Sequence, residues 1–398
     1  MKPRIAALSF ALLFFPVAGS AQSVDATTQE ADNRREFASG VAAMFAGRYD
    51  EAAQTFRKLA EHTDAPRVKL ELARSLFLAK HYREAKRVFN DVYYSTGLPY
   101  EVRRSINVYL EKIDRKIGYL VPTIGVNLDT NPTRATSATD FQLLGLPVVL
   151  RQNAHGRAVG IQYGLAGRVP LDASSAFSLV SAVSGVKYSQ SQNSFMNANI
   201  GLSHDDVAGK NSLETGVQYS RREKSDTLVS PYISDTYRLN STGQSQTDFT
   251  AALSYSTFKS NSYLNGPVFQ AGVTHGTEVS KETSLITGAH ASITRTKDSR
   301  YDQVEVGVSG TLYRSLKAIA VDVVLSGNIG RRNFSGMDPL FGAIRRDTDL
   351  DCGIRLVRTK PLRRLFPSVG VKYERRISTL RYYSYAATGL TAELYYRF

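Results

Sequence analysis

The sequence predicts a transmembrane β-barrel of about 14 antiparallel strands behind a small all-α domain. Three observations predict it. An export signal opens the chain, a helical repeat at an offset of 33 residues follows, and from Gly118 to Phe398 apolar and polar residues alternate segment after segment.

The export signal comes first. Lys2 and Arg4 form a positive n-region, Ile5 to Phe15 an apolar core, and Pro16 breaks it before small residues. Gly19 and Ala21 occupy positions −3 and −1 of a cut after Ala21, so residues 1–21 read as a cleaved signal peptide. The apolar run is too short to cross a bilayer as a helix, which takes about 20 residues. No Cys stands beside the cut, so the mature end is expected to carry no lipid. Residues 22–36 read as a flexible N-terminal segment.

Composition narrows the rest. The 398 residues leave room for two domains. The single cysteine, Cys352, rules out an intramolecular disulfide. The 50 basic and 36 acidic residues give +14, but the charge is scattered without a long basic block or interleaved aromatics. With the export signal, that argues against nucleic acid as a partner.

Residues 37–117 read as a helical domain. Gly40, Tyr49, Glu51, Ala52, Phe56 and Pro66 are matched 33 positions later by Ala73, Tyr82, Glu84, Ala85, Phe89 and Pro99. A period near 34 with small and aromatic residues at these spacings is the tetratricopeptide pattern. Small residues let paired helices approach closely, and aromatics fill the space between them. Tyr49, Ala52, Phe56, Tyr82, Ala85 and Phe89 therefore read as inter-helix core rather than a ligand site. Tyr100 to Arg115 places Val102, Ile106, Tyr109, Leu110 and Ile113 on one stripe, as the capping helix of such an array would.

Residues 118–398 read as the barrel. In Tyr301 to Tyr313, Val304, Val306, Val308 and Leu312 share one parity, and Gln303, Glu305, Ser309 and Thr311 the other. About 14 segments of this kind have the length of a tilted membrane strand. The sixth, Tyr232 to Thr242, is weak, and Pro122 and Pro267 fall inside strand candidates, where each removes a ladder donor. The second faces are too polar for a protein core, so apolar residues should face lipid and polar ones a wet lumen. Glu305, Asp322, Asp349, Asp351, Arg355 and Lys372 are expected to line that lumen and neutralise one another, in preference to acid–base catalysis. With the helices on the periplasmic side, the long connections 128–156, 221–231, 331–346 and 375–388 should face outward. The short ones (171–175, 204–210, 314–318, 359–366) should face inward.

Catalytic chemistry has no visible signature. The six histidines are dispersed, and there is no HExxH, GxSxG or phosphate loop. His204-Asp205-Asp206 reads as a solvated turn, and Cys352 falls on the apolar parity. The expectation is therefore no enzyme, no metal and no cofactor.

Three stretches carry a resemblance to a known family. They are Leu72 to Phe77 with Phe89, Leu98-Pro99 and Val102; Gly125-Val126-Asn127-Leu128-Asp129-Thr130-Asn131 with Arg134-Ala135-Thr136; and Leu394-Tyr395-Tyr396-Arg397-Phe398. Together they resemble the surface lipoprotein assembly modifier (Slam) family. The resemblance implies an outer-membrane translocator that delivers a client to the cell surface, either a surface lipoprotein or a secreted haem- or metal-binding protein. It also implies a periplasmic docking domain, contact with outer-membrane lipid, and insertion by the barrel-assembly machinery through the terminus Leu394, Tyr396 and Phe398. An exopolysaccharide export porin and a ligand-specific diffusion porin are the alternatives.

Overall fold

A computed structural model describes residues 24–95, 100–150, 156–172, 176–189, 194–206, 210–223, 226–241, 245–360, 362 and 365–396. The predicted signal peptide, Pro99 and Phe398 lie outside them. The chain divides into two compact units, the first ending at Val92 and the second starting at Tyr93.

The first unit is helical: α1 (Val24–Phe45), α2 (Tyr49–His62), α3 (Pro66–Leu78) and α4 (Tyr82–Tyr93). Asp50 and Glu51 in the first turn of α2 complement its positive end. Pro66 starts α3, where its missing N–H costs nothing. Ala52, Phe56, Ala73, Ala85 and Phe89 are fully buried, while Tyr49 and Tyr82 are half-buried. Gly40 has no alternative: a Cβ there would lie 2.7 Å from the Phe56 ring. Gly47 takes φ +75° to turn the chain out of α1. Residues 24–36, expected to be flexible, form the first half of α1. No Pro or Gly interrupts them, and Glu30 and Arg34 pair one turn apart at 2.5 Å.

The second unit opens with α5 (Tyr100–Ile117), so the helix expected to cap the repeats belongs to the barrel unit. Fourteen strands then close into an all-antiparallel barrel. They are β1 (Tyr119–Asp129), β4 (Ala158–Pro170), β5 (Phe177–Tyr188), β6 (Phe195–Asp205), β7 (Asn211–Arg222), β8 (Thr227–Ser241) and β9 (Ser245–Phe258). The circuit continues through β10 (Gly266–Ser280), β11 (Thr283–Thr294), β12 (Gln303–Leu316), β13 (Val321–Met337), β14 (Ile344–Arg358), β15 (Leu365–Ser378) and β16 (Tyr385–Tyr396). A separate hairpin, β2 (Asp140–Leu143) with β3 (Leu146–Val149), rises from the β1–β4 connection. Each barrel strand pairs with its neighbours in sequence, and β16 returns to β1.

The weak sixth segment is the full strand β8. Its Pro231 sits where the β8–β9 register skips from Val229 to Tyr232, so no partner is lost there. Pro122 lies below the first β1–β16 pair, Thr123↔Tyr395, and Pro267 one residue before the β10–β11 ladder begins. Each proline thus falls where one neighbour is missing.

The apolar parity points outward. Val304, Val306 and Val308 on β12, Ile354 and Leu356 on β14, and Val369 and Val371 on β15 are all exposed. On β14 the outward run from Thr348 to Arg358 rises about 25 Å if the strand tilts roughly 40°, the height of a membrane barrel's apolar band. A continuous apolar exterior of this extent is stable only in lipid. Cys352 lies in the band, exposed between Leu350 and Ile354.

Asp235 interrupts the band, facing outward between Ile233 and Tyr237 with no ion pair among the described residues. A carboxylate facing hydrocarbon is destabilising. Asp235→Leu is therefore expected to stabilise the barrel by roughly 1–2 kcal/mol in urea unfolding from phospholipid vesicles. A loss of stability instead would mean that the carboxylate is engaged.

Candidate functional site

The lumen is the candidate site, and its wall has two characters. β12 to β15 carry a ladder of ion pairs. Arg332 donates to Glu305 at 2.8 Å, and Arg376 to Asp349 at 2.6 Å. Arg332 also approaches Asp349 at 3.7 Å, and Arg376 approaches Asp347 at 3.6 Å. Arg345 grips the fully buried Asp347 at 2.6 Å, and its guanidinium lies 3.7 Å from the centre of the Tyr383 ring. His290 stands 3.9 Å from the far oxygen of Glu305. Charges of both signs alternate along one wall, so much of their field cancels locally.

The wall formed by β5 to β7 mixes amides and hydroxyls with an apolar patch, where Val186 and Tyr188 are buried with Ala158 against Phe195. Ser184, Asn197, Asn199, Gln218 and Ser220 line a recess of about 290 Å³ together with Ala182, Ala198, Tyr219 and Leu228. Ser220 donates to Asn197 at 2.7 Å, and the Tyr232 hydroxyl donates to Glu214 at its lower side.

The six acids and bases named from the sequence all lie on the inward parity, but none pairs with another of the six. Glu305 and Asp349 take Arg332 and Arg376, Lys372 takes Glu374 at 2.5 Å, and Asp351 faces Asn328 at 3.4 Å. Asp322 accepts from Ser315 at 2.5 Å, and Arg355 is exposed to the lumen. Among the described residues neither of these two has an ion pair. The basic partners lie beyond the strand ends that the sequence predicts. Treating 331–346 and 375–388 as outer loops removed Arg332 and Arg376 from the wall. In the structure β13 runs to Met337 and β15 to Ser378. Alternation carried four residues past Asn328, or two past Glu374, would have found them. The same lengthening leaves 130–157 as the one long connection among the four named.

That connection starts with a latch. Thr130 donates its N–H to Thr388 at 3.0 Å, and the Asn131 amide reaches Ala386 at 3.1 Å, both on β16. Asn131 is buried and turns the chain back by accepting from the Ala135 N–H at 2.8 Å. Arg134, with φ +54°, then crosses β16 on its inner side, bonding Asp129 of β1 at 2.8 Å and Glu374 of β15 at 2.7 Å. The buried Ala387 between those strands leaves room for it. Burial opposes the guanidinium charge, but the bonds and fields of Glu374 and Asp129 more than reverse that and raise its pKa. Farther along, Phe141 of β2 packs on Phe341 and Tyr382, with Asp140 paired to Arg381 at 2.7 Å. The connection is thus fastened to the two neighbouring loops at that rim.

At the opposite end, Tyr93 lies 6.4 Å from Phe366, which stacks on Tyr395 at 5.0 Å. Arg103 of α5 is buried and donates to the carbonyls of Tyr93 and Ser95. α5 is thereby tied to the end of the barrel where β1 begins and β16 finishes.

Residues 43–92 match the tetratricopeptide repeat family. No curated protein matches the chain. Among solved structures, the outer membrane channel DcaP of Acinetobacter baumannii is similar at 9% identity and TM-score 0.43, covering 71% of this chain and 96% of that one. A bacterial polysaccharide outer membrane secretin aligns at 7% identity and TM-score 0.40, over 71% and 99% of the two chains. The anion-selective porin from Comamonas acidovorans aligns at 8% identity and TM-score 0.40, over 71% and 98%. The chain is a closed 14-stranded antiparallel membrane barrel preceded by a small helical region that carries a tetratricopeptide repeat match.

Proposed function

We propose that this chain is an outer-membrane translocator that delivers a client protein, a surface lipoprotein or a secreted haem- or metal-binding protein, to the cell surface. The observation that carries the reading is the pairing, on one chain, of a repeat-bearing helical unit with a barrel whose inner face carries paired charges on β12 to β15 and amides and hydroxyls on β6 and β7. Tetratricopeptide arrays present surfaces that bind peptides or neighbouring elements. A polar wall whose charges pair with one another can pass an extended chain without binding it tightly. In this reading the helical unit lies in the periplasm, and β1 runs outward. The latch then stands at the outer rim, and the barrel-assembly machinery takes up the end of β16. The Asp129–Thr136 latch is the stretch most similar to the Slam family. The barrel acts without catalysis, cofactor or metal.

The recess on β5 to β7 supports a second reading, an exopolysaccharide exporter, since its amides and hydroxyls match sugar hydroxyls and its apolar and aromatic surface matches sugar C–H faces. Deleting the gene from its host distinguishes the two. Protease shaving of intact cells should show one surface protein lost and accumulating in the periplasm. Loss of surface polymer with an unchanged surface proteome would favour the exporter. A change only in small-solute uptake would favour a diffusion porin.

A further inference from the structure

Charge on the outer face follows a pattern that protein transport does not use. Three arginine doublets stand near the same end of neighbouring strands: Arg331-Arg332 on β13, Arg345-Arg346 on β14 and Arg375-Arg376 on β15. Strand alternation sends one arginine of each doublet into the lumen and the other out. The inward three are the ladder bases, held by Glu305, Asp347 and Asp349. The outward three, Arg331, Arg346 and Arg375, are exposed, and among the described residues none has an ion pair. No acid of these strands is placed to neutralise them. Asp322, Asp347, Asp349, Asp351 and Glu374 all have the inward parity.

Their register sets all three around Thr348. Arg331 stands directly opposite Thr348 of β14, and Arg346 is the next outward residue beyond Thr348 on the same strand. Arg375 is diagonal to Thr348, which itself pairs with Ile377. Diagonal positions on a sheet lie about 7–8 Å apart, which places Arg331 beside Arg346 and lets the long Arg375 side chain reach toward them across Thr348. The cluster borders the apolar band, since Ile329, Leu350 and Tyr373 are the next outward residues toward mid-membrane on β13, β14 and β15, with only Thr348 intervening on β14. A ligand there would meet guanidinium groups at its head and aliphatic surface along its tail. Guanidinium forks match phosphate oxygens in pairs.

We propose that Arg331, Arg346 and Arg375 form a binding site for the phosphate groups of an anionic glycolipid of the outer leaflet, with its acyl chains lying on the β13–β15 band. The leaflet rests on the orientation proposed above, whereas the phosphate chemistry rests on the cluster alone.

The test uses the full chain, refolded in detergent, and reads the temperature at which its compact gel mobility is lost. Added lipopolysaccharide should raise that temperature by several degrees, while phosphatidylethanolamine and inorganic phosphate should not. The R331Q/R346Q/R375Q variant should start as a compact band and lose the lipopolysaccharide shift. R314Q/R358Q, which removes exposed outward arginines at the opposite end of the barrel, should keep it. An undiminished shift in the triple variant would overturn the site. An equal shift with inorganic phosphate would overturn the lipid assignment. If the triple variant gave no compact band, single substitutions would be read the same way. The assay has no client and no membrane sidedness, so failure of the transport reading would leave its result unchanged.

Discussion

A chain lacking residues 24–92 is expected to insert and close its barrel yet leave its client in the periplasm. The division between Val92 and Tyr93 sets that boundary. Extending the deletion to residue 117 should instead cost the barrel itself. It removes Tyr93 from Phe366 and takes away α5, whose Ile106, Leu110 and Ile113 are buried. It also removes the Asp114 carbonyl that accepts from the Gly118 N–H at 2.8 Å, just before β1. Gel mobility before and after heating reports closure, and protease shaving reports display. Unchanged display in the shorter deletion would sink the docking role. A compact barrel in the longer one would show that α5 is dispensable.

Arg134→Ala should destabilise the barrel by about 3 kcal/mol, because it strands the buried Asp129 carboxylate and leaves Glu374 with Lys372 alone. The side chains of Asp129 and Glu374 are only 7% and 17% exposed, so solvent screens them little. Arg134→Lys should recover only part, since one ammonium cannot span both acids in the planar fork of a guanidinium. D129N/R134A should recover more than Arg134→Lys, because it removes the stranded charge instead of restoring a base and keeps the Lys372–Glu374 pair. Urea unfolding in vesicles measures each. A loss below about 1 kcal/mol for Arg134→Ala would mean that lumen water hydrates both acids as well as the arginine does.

Much of the fold was legible because lipid enforces a strict period. Lipid favours an apolar residue at each outward position, so Val304, Val306 and Val308 announce their strand and their face together. The repeats were legible for a similar reason: the Ala52–Phe56 and Ala85–Phe89 spacings are set by helix contact. Strand ends were not legible. Above the membrane both faces meet water, and the pattern fades although the ladder continues. Arg332 and Arg376 stand in that stretch, so the alternation alone leaves Glu305 and Asp349 without their bases. α5 reads as a cap of the repeats, yet belongs to the second unit, for a different reason. An amphipathic stripe shows that a helix buries one face, but not which neighbour covers it. The latch residues could be singled out as a distinctive stretch, but the bonds that give them meaning run to β15 and β16.

Those bonds also bear on the order in which the barrel forms. The Asn131 amide meets Ala386 across 255 residues, Arg134 meets Glu374 across 240, and Thr130 meets Thr388 across 258. Most other ladders join strands a short turn apart and can form as hairpins emerge, whereas the latch has nothing to hold until the last two strands exist. Its closure entropy falls on the final step. Substitutions at Asn131 or Arg134 should therefore leave the early hairpins and their rates untouched and speed the reopening of the finished ring.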